Sequence, residues 1–253
     1  MATRAMQGLG LSVFLLGCGG GAALVEIPPI DEEETFTERD AATDEGPTAE
    51  APVSLRLEAL REGQALRLAG DACNEVSAYV ESGRLQDGGA TREAGTFLRT
   101  YDPLELVALE ASEVVVSEVR GEGECAIGDD LTVTEPLSRS QASGAMVHIY
   151  AGEPNGGASS FAILDGVGGV PLHTHSSSSE TILVIAGEGT MTVGERSHAL
   201  APGVSVHAPA GTSHEATPEG TMRVFQVYAP AGPEQRFVAS PAGAAEPEVE
   251  TAE

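Results

Sequence analysis

Three histidines and one glutamate stand at short offsets in one stretch of this chain: His173, His175, Glu180 and His214. Three imidazole nitrogens and one carboxylate oxygen suit a divalent first-row ion such as Fe, Mn, Zn, Ni or Cu. Four protein ligands leave one or two positions open on a five- or six-coordinate ion, where water, dioxygen or a substrate oxygen can bind. Glu180 is the one candidate for a catalytic role, because a carboxylate that loosens from an ion can accept a proton.

These side chains need elements that bring them together. His173 and His175 are two apart, and on an extended strand such positions share one face. Glu180 opens the β-branched, strand-like run Thr181–Ala186. Gly187-Glu188-Gly189 is a turn, and Thr190–Val193 is expected to return as the second arm of a hairpin. Gly203–Ala208 reads as a further strand, and the turn Pro209-Ala210-Gly211 delivers His214. By alternation, Ile182 and Val184 should face inward with Glu180 and make a largely apolar pocket. That pocket suits a small organic molecule that chelates through oxygen. The only arginine between the two histidine groups is Arg196, in a turn, so no anion-binding cluster is evident.

The same residues resemble the two motifs of the cupin superfamily. His173-x-His175, four spacers, Glu180, six residues and Gly187 match the first; Gly203, five residues, Pro209-x-Gly211, two residues and His214 match the second. Two positions depart from the pattern. Val167 occupies the place of the first glycine, and Pro218 that of the closing asparagine; neither is a ligand in the family. The resemblance implies that His173, His175, Glu180 and His214 bind one divalent metal inside an all-β, double-stranded β-helix, the cupin jelly-roll barrel. It also implies a small-molecule ligand and pairing of barrels through their edges, as a homodimer or, alternatively, within a single monomeric chain.

Composition supports many short strands: there are 31 glycines and 15 prolines, aromatics are 4%, and tryptophan is absent. All 13 basic residues are arginine, so Schiff-base chemistry and a lysine base are excluded. A net charge of −26 argues against nucleic acid and against adsorption to anionic lipid.

Residues 1–17 read as a targeting segment whose apolar run, Leu9–Leu16, is too short to span a bilayer. Leu15-Leu16-Gly17-Cys18 resembles a bacterial lipobox, which implies cleavage before Cys18 and acylation of that cysteine; an ordinary signal is the alternative. The chain is then expected in the bacterial cell envelope, lipid-anchored through Cys18 at the outer membrane or cell surface. Residues 18–52 are an acidic, disordered linker and 239–253 an acidic, disordered tail.

Residues 133–238 are expected to form the metal barrel, with Glu234–Val238 covering an edge. Residues 53–132 hold recurrent strand-like runs and no histidine. Here Glu75–Gly83 parallels Glu180–Gly187, and Gly95–Arg99 parallels Gly203–His207, so this half reads as a degenerate, metal-free cupin-like domain. The positions matching His173 and His175 fall near Leu68 and Gly70; an unrelated β-sandwich is the alternative. With Cys18 acylated, Cys73 and Cys125 form an even pair in an oxidising compartment, expected as a disulfide, with two free thiols as the alternative. His207, just before the Pro209 turn, is a candidate to support a ligand; His148 reads as an ordinary strand histidine, with a place at the pocket mouth as the alternative, and His198, in a hairpin, is expected to face solvent.

Three classes of function follow: metal-assisted oxidation of a small molecule by dioxygen, a non-catalytic module that holds a ligand or metal, and a redox-silent isomerase or decarboxylase.

Overall fold

The runs that alternate or continue in apolar residues become strands, and they fold into two barrels of the same plan. The computed structural model describes residues 53–120 and 128–238. The first half contains β1 (Val53–Leu60), β2 (Ala65–Leu68), β3 (Asn74–Ser82), β4 (Arg84–Asp87), β5 (Ala90–Glu93), β6 (Phe97–Thr100), β7 (Leu104–Ala108), β8 (Ser112–Arg120) and β9 (Leu131–Val133). The second contains β10 (Ser138–Ala142), β11 (Ala145–Ala151), β12 (Phe161–Gly166), β13 (Val170–His173), β14 (Ser179–Ala186), β15 (Gly189–Val193), β16 (Arg196–Leu200), β17 (Ser205–Ala208), β18 (His214–Pro218) and β19 (Met222–Ala229). A single-turn helix, α1 (Gln235–Val238), follows and packs on the edge strand β10, as the expected cover for an edge.

The strand order β1-β8-β3-β6 recurs as β12-β19-β14-β17, and β2-β7-β4-β5 recurs as β13-β18-β15-β16. In each half the two sheets face one another over an apolar interior. Val76, Ala78, Val80, Leu98 and Val116 fill the first, and Ile182, Val184, Met191, Val206 and Met222 fill the second. Ile182 and Val184 thus point inward, as strand alternation requires.

The outer faces of the two larger sheets meet. Tyr79, Phe97 and Val115 of the first half pack on Phe161, Leu183, Phe225 and Val227 of the second in one buried cluster. Phe97 and Phe161 lie 4.8 Å apart, and Phe161 meets Phe225 edge-on at 5.6 Å. Strands buried on both faces carry longer apolar stretches than half-exposed ones. That is why β3, β8, β14 and β19 stand out in the sequence, while Arg84–Asp87 and Ala90–Glu93 do not. Arg223 ties the halves at one end, with paired hydrogen bonds to Glu81 (2.7 and 2.8 Å) and to Asp165 (2.7 and 2.9 Å).

Two expectations need correction. Residues 190–193 do not return beside β14: β15 pairs with β16 and β18 in the other sheet. Gly187, at φ +89°, turns the chain across the barrel corner instead of closing a hairpin. One part of the repeat is also out of register by one residue: Arg99 does match His207 and Leu68 does match His173, but Glu75 does not match Glu180. Val76 pairs with Thr100 as Glu180 pairs with Ala208, and the bulges at Val80/Ser82 and Val184/Ala186 coincide. Val76, not Glu75, therefore occupies the place of Glu180. Leu68 pairs with Leu104 as His173 pairs with His214. The first barrel thus holds Leu68, Val76 and Leu104, all buried, where the second holds ligands.

Glu75 points the other way, into the seam. It accepts hydrogen bonds from Tyr101 Oη (2.6 Å), the Ala158 amide (2.7 Å) and Ser159 Oγ. Arg99 lies beside it, buried at 2% exposure, and donates to the Asp129 and Asn155 carbonyls. Gly157 is required here, because a Cβ would collide with the Arg99 guanidinium.

Cys73, in the turn before β3, is engaged rather than free; Cys125 lies outside the described residues. So do Cys18, the signal, the linker and the tail. Among the described residues no helix is long and apolar enough to cross a membrane.

Phe161→Ala removes the ring at the centre of the seam and should cost about 3–5 kcal/mol. Urea unfolding followed by circular dichroism should show one transition in both proteins, shifted to lower urea in the variant. Two separate transitions in the wild-type chain would contradict a shared core.

Candidate metal centre

The four predicted ligands come from three places. Glu180 is the second residue of β14, directed inward between the walls of the barrel. His214 opens β18 and pairs across with His173, the last residue of β13. His175 lies two residues beyond the end of β13, and its carbonyl, accepting from the Gly211 amide at 2.8 Å, holds the loop in place. The strand therefore ends before His175, yet the offset of two still brings both imidazoles to one point.

The geometry is close. His173 Nε2 and His175 Nε2 are 3.1 Å apart. Glu180 Oε2 lies 3.1 Å from His175 Nε2, 2.9 Å from His214 Nε2 and 3.9 Å from His173 Nε2. All four donor atoms lie within 4.8 Å of one another. At a bond length of about 2.1 Å, neighbouring ligands on an octahedral ion are about 3 Å apart and opposite ones about 4.2 Å. The set therefore fits one ion, with positions to spare. Among the described residues it is the one such group.

The ring orientations are set from behind. His173 Nδ1 donates to the Pro171 carbonyl and His214 Nδ1 to the Thr212 carbonyl, each at 2.9 Å. A carbonyl only accepts, so those nitrogens carry the hydrogen and the Nε2 atoms turn toward the centre. Nitrogen lone pairs and a carboxylate this close repel unless a proton or a cation lies between them.

The electrostatics agree. Burial would raise the Glu180 carboxyl, but hydrogen bonds from His175, His214 and Gln226 outweigh it and hold the group below the ordinary carboxylate range. Burial pushes His173 down to about 4, so it is a neutral imidazole. Burial opposes the charged form of His214 too, yet its contact with Glu180 prevails and holds it above its ordinary value. Both shifts favour positive charge between His214 and Glu180, as a bound cation would supply.

A cavity of about 60 Å³ adjoins the cluster. Its walls include Ile182, Met191, Leu200, Met222 and Val224, and His173, Glu180, His214 and Gln226 face it. The apolar pocket expected from strand alternation is present.

Two side chains escaped the sequence reading. Gln226 donates to Glu180 Oε1 at 2.6 Å, and the Tyr228 ring meets His175 at 5.0 Å and accepts from Arg236 through its hydroxyl at 3.0 Å. Both lie on β19, where Gln226 is the lone amide in an apolar run; that was the available signal. His207 is placed differently from expectation. Its Nδ1 meets Thr181 Oγ1 at 2.8 Å on the sheet face opposite Glu180, so it does not support a ligand. His148 sits 3.8 Å from Asp165, away from the cluster.

Fold and site thus define a two-barrel β-protein with a three-histidine, one-glutamate cluster in its second barrel. Residues 161–228 match the family model of the cupin domain. Among solved structures, the chain is similar to the oxalate decarboxylase of Bacillus subtilis with its Mn(II) centres, at 15% identity and a TM-score of 0.54, over 71% of this chain and 70% of that one. A second oxalate decarboxylase structure gives 14% identity and a TM-score of 0.56, over 75% and 73%. The Escherichia coli protein Ylba gives 15% identity and a TM-score of 0.57, over 72% and 79%. These likenesses establish the shared fold. A search of curated protein sequences finds no match.

His173→Ala and His214→Ala each remove one donor and leave the barrel strands intact. Each should lower the metal retained after dialysis by about tenfold or more, read by elemental analysis beside circular dichroism. Unchanged metal content in both would refute the cluster as a metal site.

Proposed function

We propose that this chain is an envelope-anchored, metal-binding cupin protein that binds and oxidises a small organic molecule at the His173, His175, Glu180 and His214 centre. The carrying observation is the convergence of four donor atoms within 4.8 Å beside a small, mostly apolar cavity. A divalent ion held there would supply a Lewis acid with open positions for oxygen ligands. The chain's own residues set the conditions. His173 and His214 are oriented by backbone carbonyls, Glu180 is held by Gln226, and the apolar walls exclude bulk water from the ligand. Manganese is the first ion to test, because the B. subtilis decarboxylase of similar fold carries Mn(II).

A non-catalytic binding module is the second reading. Beyond the ligands, the cavity holds one further ionisable side chain, Glu215, so groups for proton transfer are few. The envelope anchor rests on the lipobox-like segment ending at Cys18, and a Cys73–Cys125 disulfide accords with Cys73 being engaged. Such a bridge would close a loop of about 50 residues and contribute up to about 4 kcal/mol.

Protein purified from its own host should carry about one divalent ion per chain. In an oxygen electrode it should consume dioxygen as a small hydroxylated or keto compound disappears. Substrate loss without dioxygen uptake would replace oxidation by isomerisation or decarboxylation; binding without either would leave the module.

Cys18→Ala should move the protein from the membrane to the soluble fraction. Alkylation without reductant should leave the masses of the Cys73 and Cys125 peptides unlabelled. A variant that stays with the membrane, or labelling of both thiols, would refute the anchor or the bridge respectively.

A further inference from the structure

The cavity beside the cluster has a direction. Its polar lining residues gather at one end: His173, Glu180, His214 and Gln226, with Glu215 next to His214 in the chain. Strand pairing orders the other lining residues by their distance from that end. Ile182, Val170, Met191 and Ala216 come two or three residues further along, with Val170 and Met191 both paired to Ala216. Leu200 and Pro218 follow, each paired to Gly189. Met222, Gly166 and Ala145 end the series, side by side across β19, β12 and β11. Beyond the cluster end every lining residue is apolar or glycine.

Its width follows from its length and volume. From His214 to Pro218 is four residues of β18, about 13 Å at the rise of a strand. A volume of about 60 Å³ has room for about four or five waters, which a length of that order takes in single file. The cavity is therefore a narrow channel along the barrel, polar where the four donor atoms converge and hydrocarbon beyond. A polar occupant would find no hydrogen-bonding side chain in the hydrocarbon part and would lose its hydration there. An unbranched alkyl chain suits both the walls and the width, because its burial removes apolar surface from water and it is no wider than one carbon.

We propose that the ligand of this site is an oxygen chelator with a short, unbranched alkyl tail. The head binds the ion at the cluster, and the tail runs along the barrel past Ala216 and Met191 toward Met222. This rests on the metal-binding reading above and names the ligand class for it. Ala216 has the smallest side chain at the level just beyond the cluster, so it keeps the channel open where the tail must enter. The far end lies between Gly166 and Gly168, on either side of the exposed Val167, so a tail longer than the channel would gain nothing further there.

A series of straight-chain hydroxamates tests this: acetohydroxamate, butanohydroxamate, hexanohydroxamate and octanohydroxamate. All carry the same chelating head, so coordination of the ion contributes equally and only the tail varies. The full chain is loaded with Mn(II), its metal content is measured, and binding at the ion is read from the change in water-proton relaxation. Each pair of added methylenes should tighten binding about tenfold until the channel is full, after which affinity levels off. The branched isomer tert-butylacetohydroxamate, with the carbon count of hexanohydroxamate, should bind about tenfold more weakly than the straight chain. Ala216→Leu places an isobutyl group in the channel and should make octanohydroxamate bind no more tightly than acetohydroxamate. Should that variant lose Mn(II), the wild-type series and the branched isomer decide alone. Affinity independent of tail length, equal binding of the two isomers, or binding of no member to Mn(II)-loaded wild type overturns the alkyl channel. A wild-type chain that retains no Mn(II), nor any other divalent ion from the first row, instead sinks the metal reading beneath it.

Discussion

A carboxylate buried in an apolar barrel must be compensated, and the second half of this protein is arranged around that requirement at Glu180. Its side chain is 5% exposed, and an isolated charge at such depth is strongly disfavoured. Three imidazoles converge on one of its oxygens, and the Gln226 amide takes the other. Pairing of β13 with β18 sets His214 opposite His173, and the loop after β13 returns His175 to the same point. Without the cluster, Glu180 would be an uncompensated charge facing Ile182 and Val184. With it, one site for a cation lies at the bottom of a cavity.

The first barrel is the internal comparison. It has the same strand order and the same bulge, yet its matching positions hold Leu68, Val76 and Leu104. Among the described residues no charge is buried in that interior, so none needs a partner there. The fold alone therefore does not provide donors for a metal; the side chains of His173, His175, Glu180 and His214 could. The first half serves the site indirectly, by covering the outer face of the sheet that carries Glu180. Phe97 and Tyr79 pack against Phe161 and Phe225, which stiffens β12, β14 and β19 from behind.

The seam has its own buried charges. Glu75 is well satisfied by Tyr101, Ala158 and Ser159. Arg99 is less so: its Nε and Nη1 have no hydrogen-bond partner among the described residues, and its Nε is 3.8 Å from the Glu75 carboxylate. A pair of this kind adds little net stability, since desolvation offsets most of the attraction.

Much of the site was legible in the linear chain because its ligands obey local spacing. An offset of two on extended backbone brings two imidazoles together, and a glutamate heading an apolar strand has a known inward phase. The central strands were legible because burial on both faces lengthens their apolar stretches. The short polar strands β4 and β5 were not, since they hold their place by pairing and turn geometry. The one-residue error between Glu75 and Glu180 has the same root: side-chain facing reverses with every residue, and only the pairing register settles it. The sequence by itself determined the four residues that cluster, the all-β class and the apolar character of the pocket. Tertiary structure alone decided that Val76 replaces Glu180 in the first barrel, that His207 faces away, and that Gln226 holds the Glu180 carboxylate. Each of these depends on which strands pair and which face is inward, and neither is encoded in any one segment.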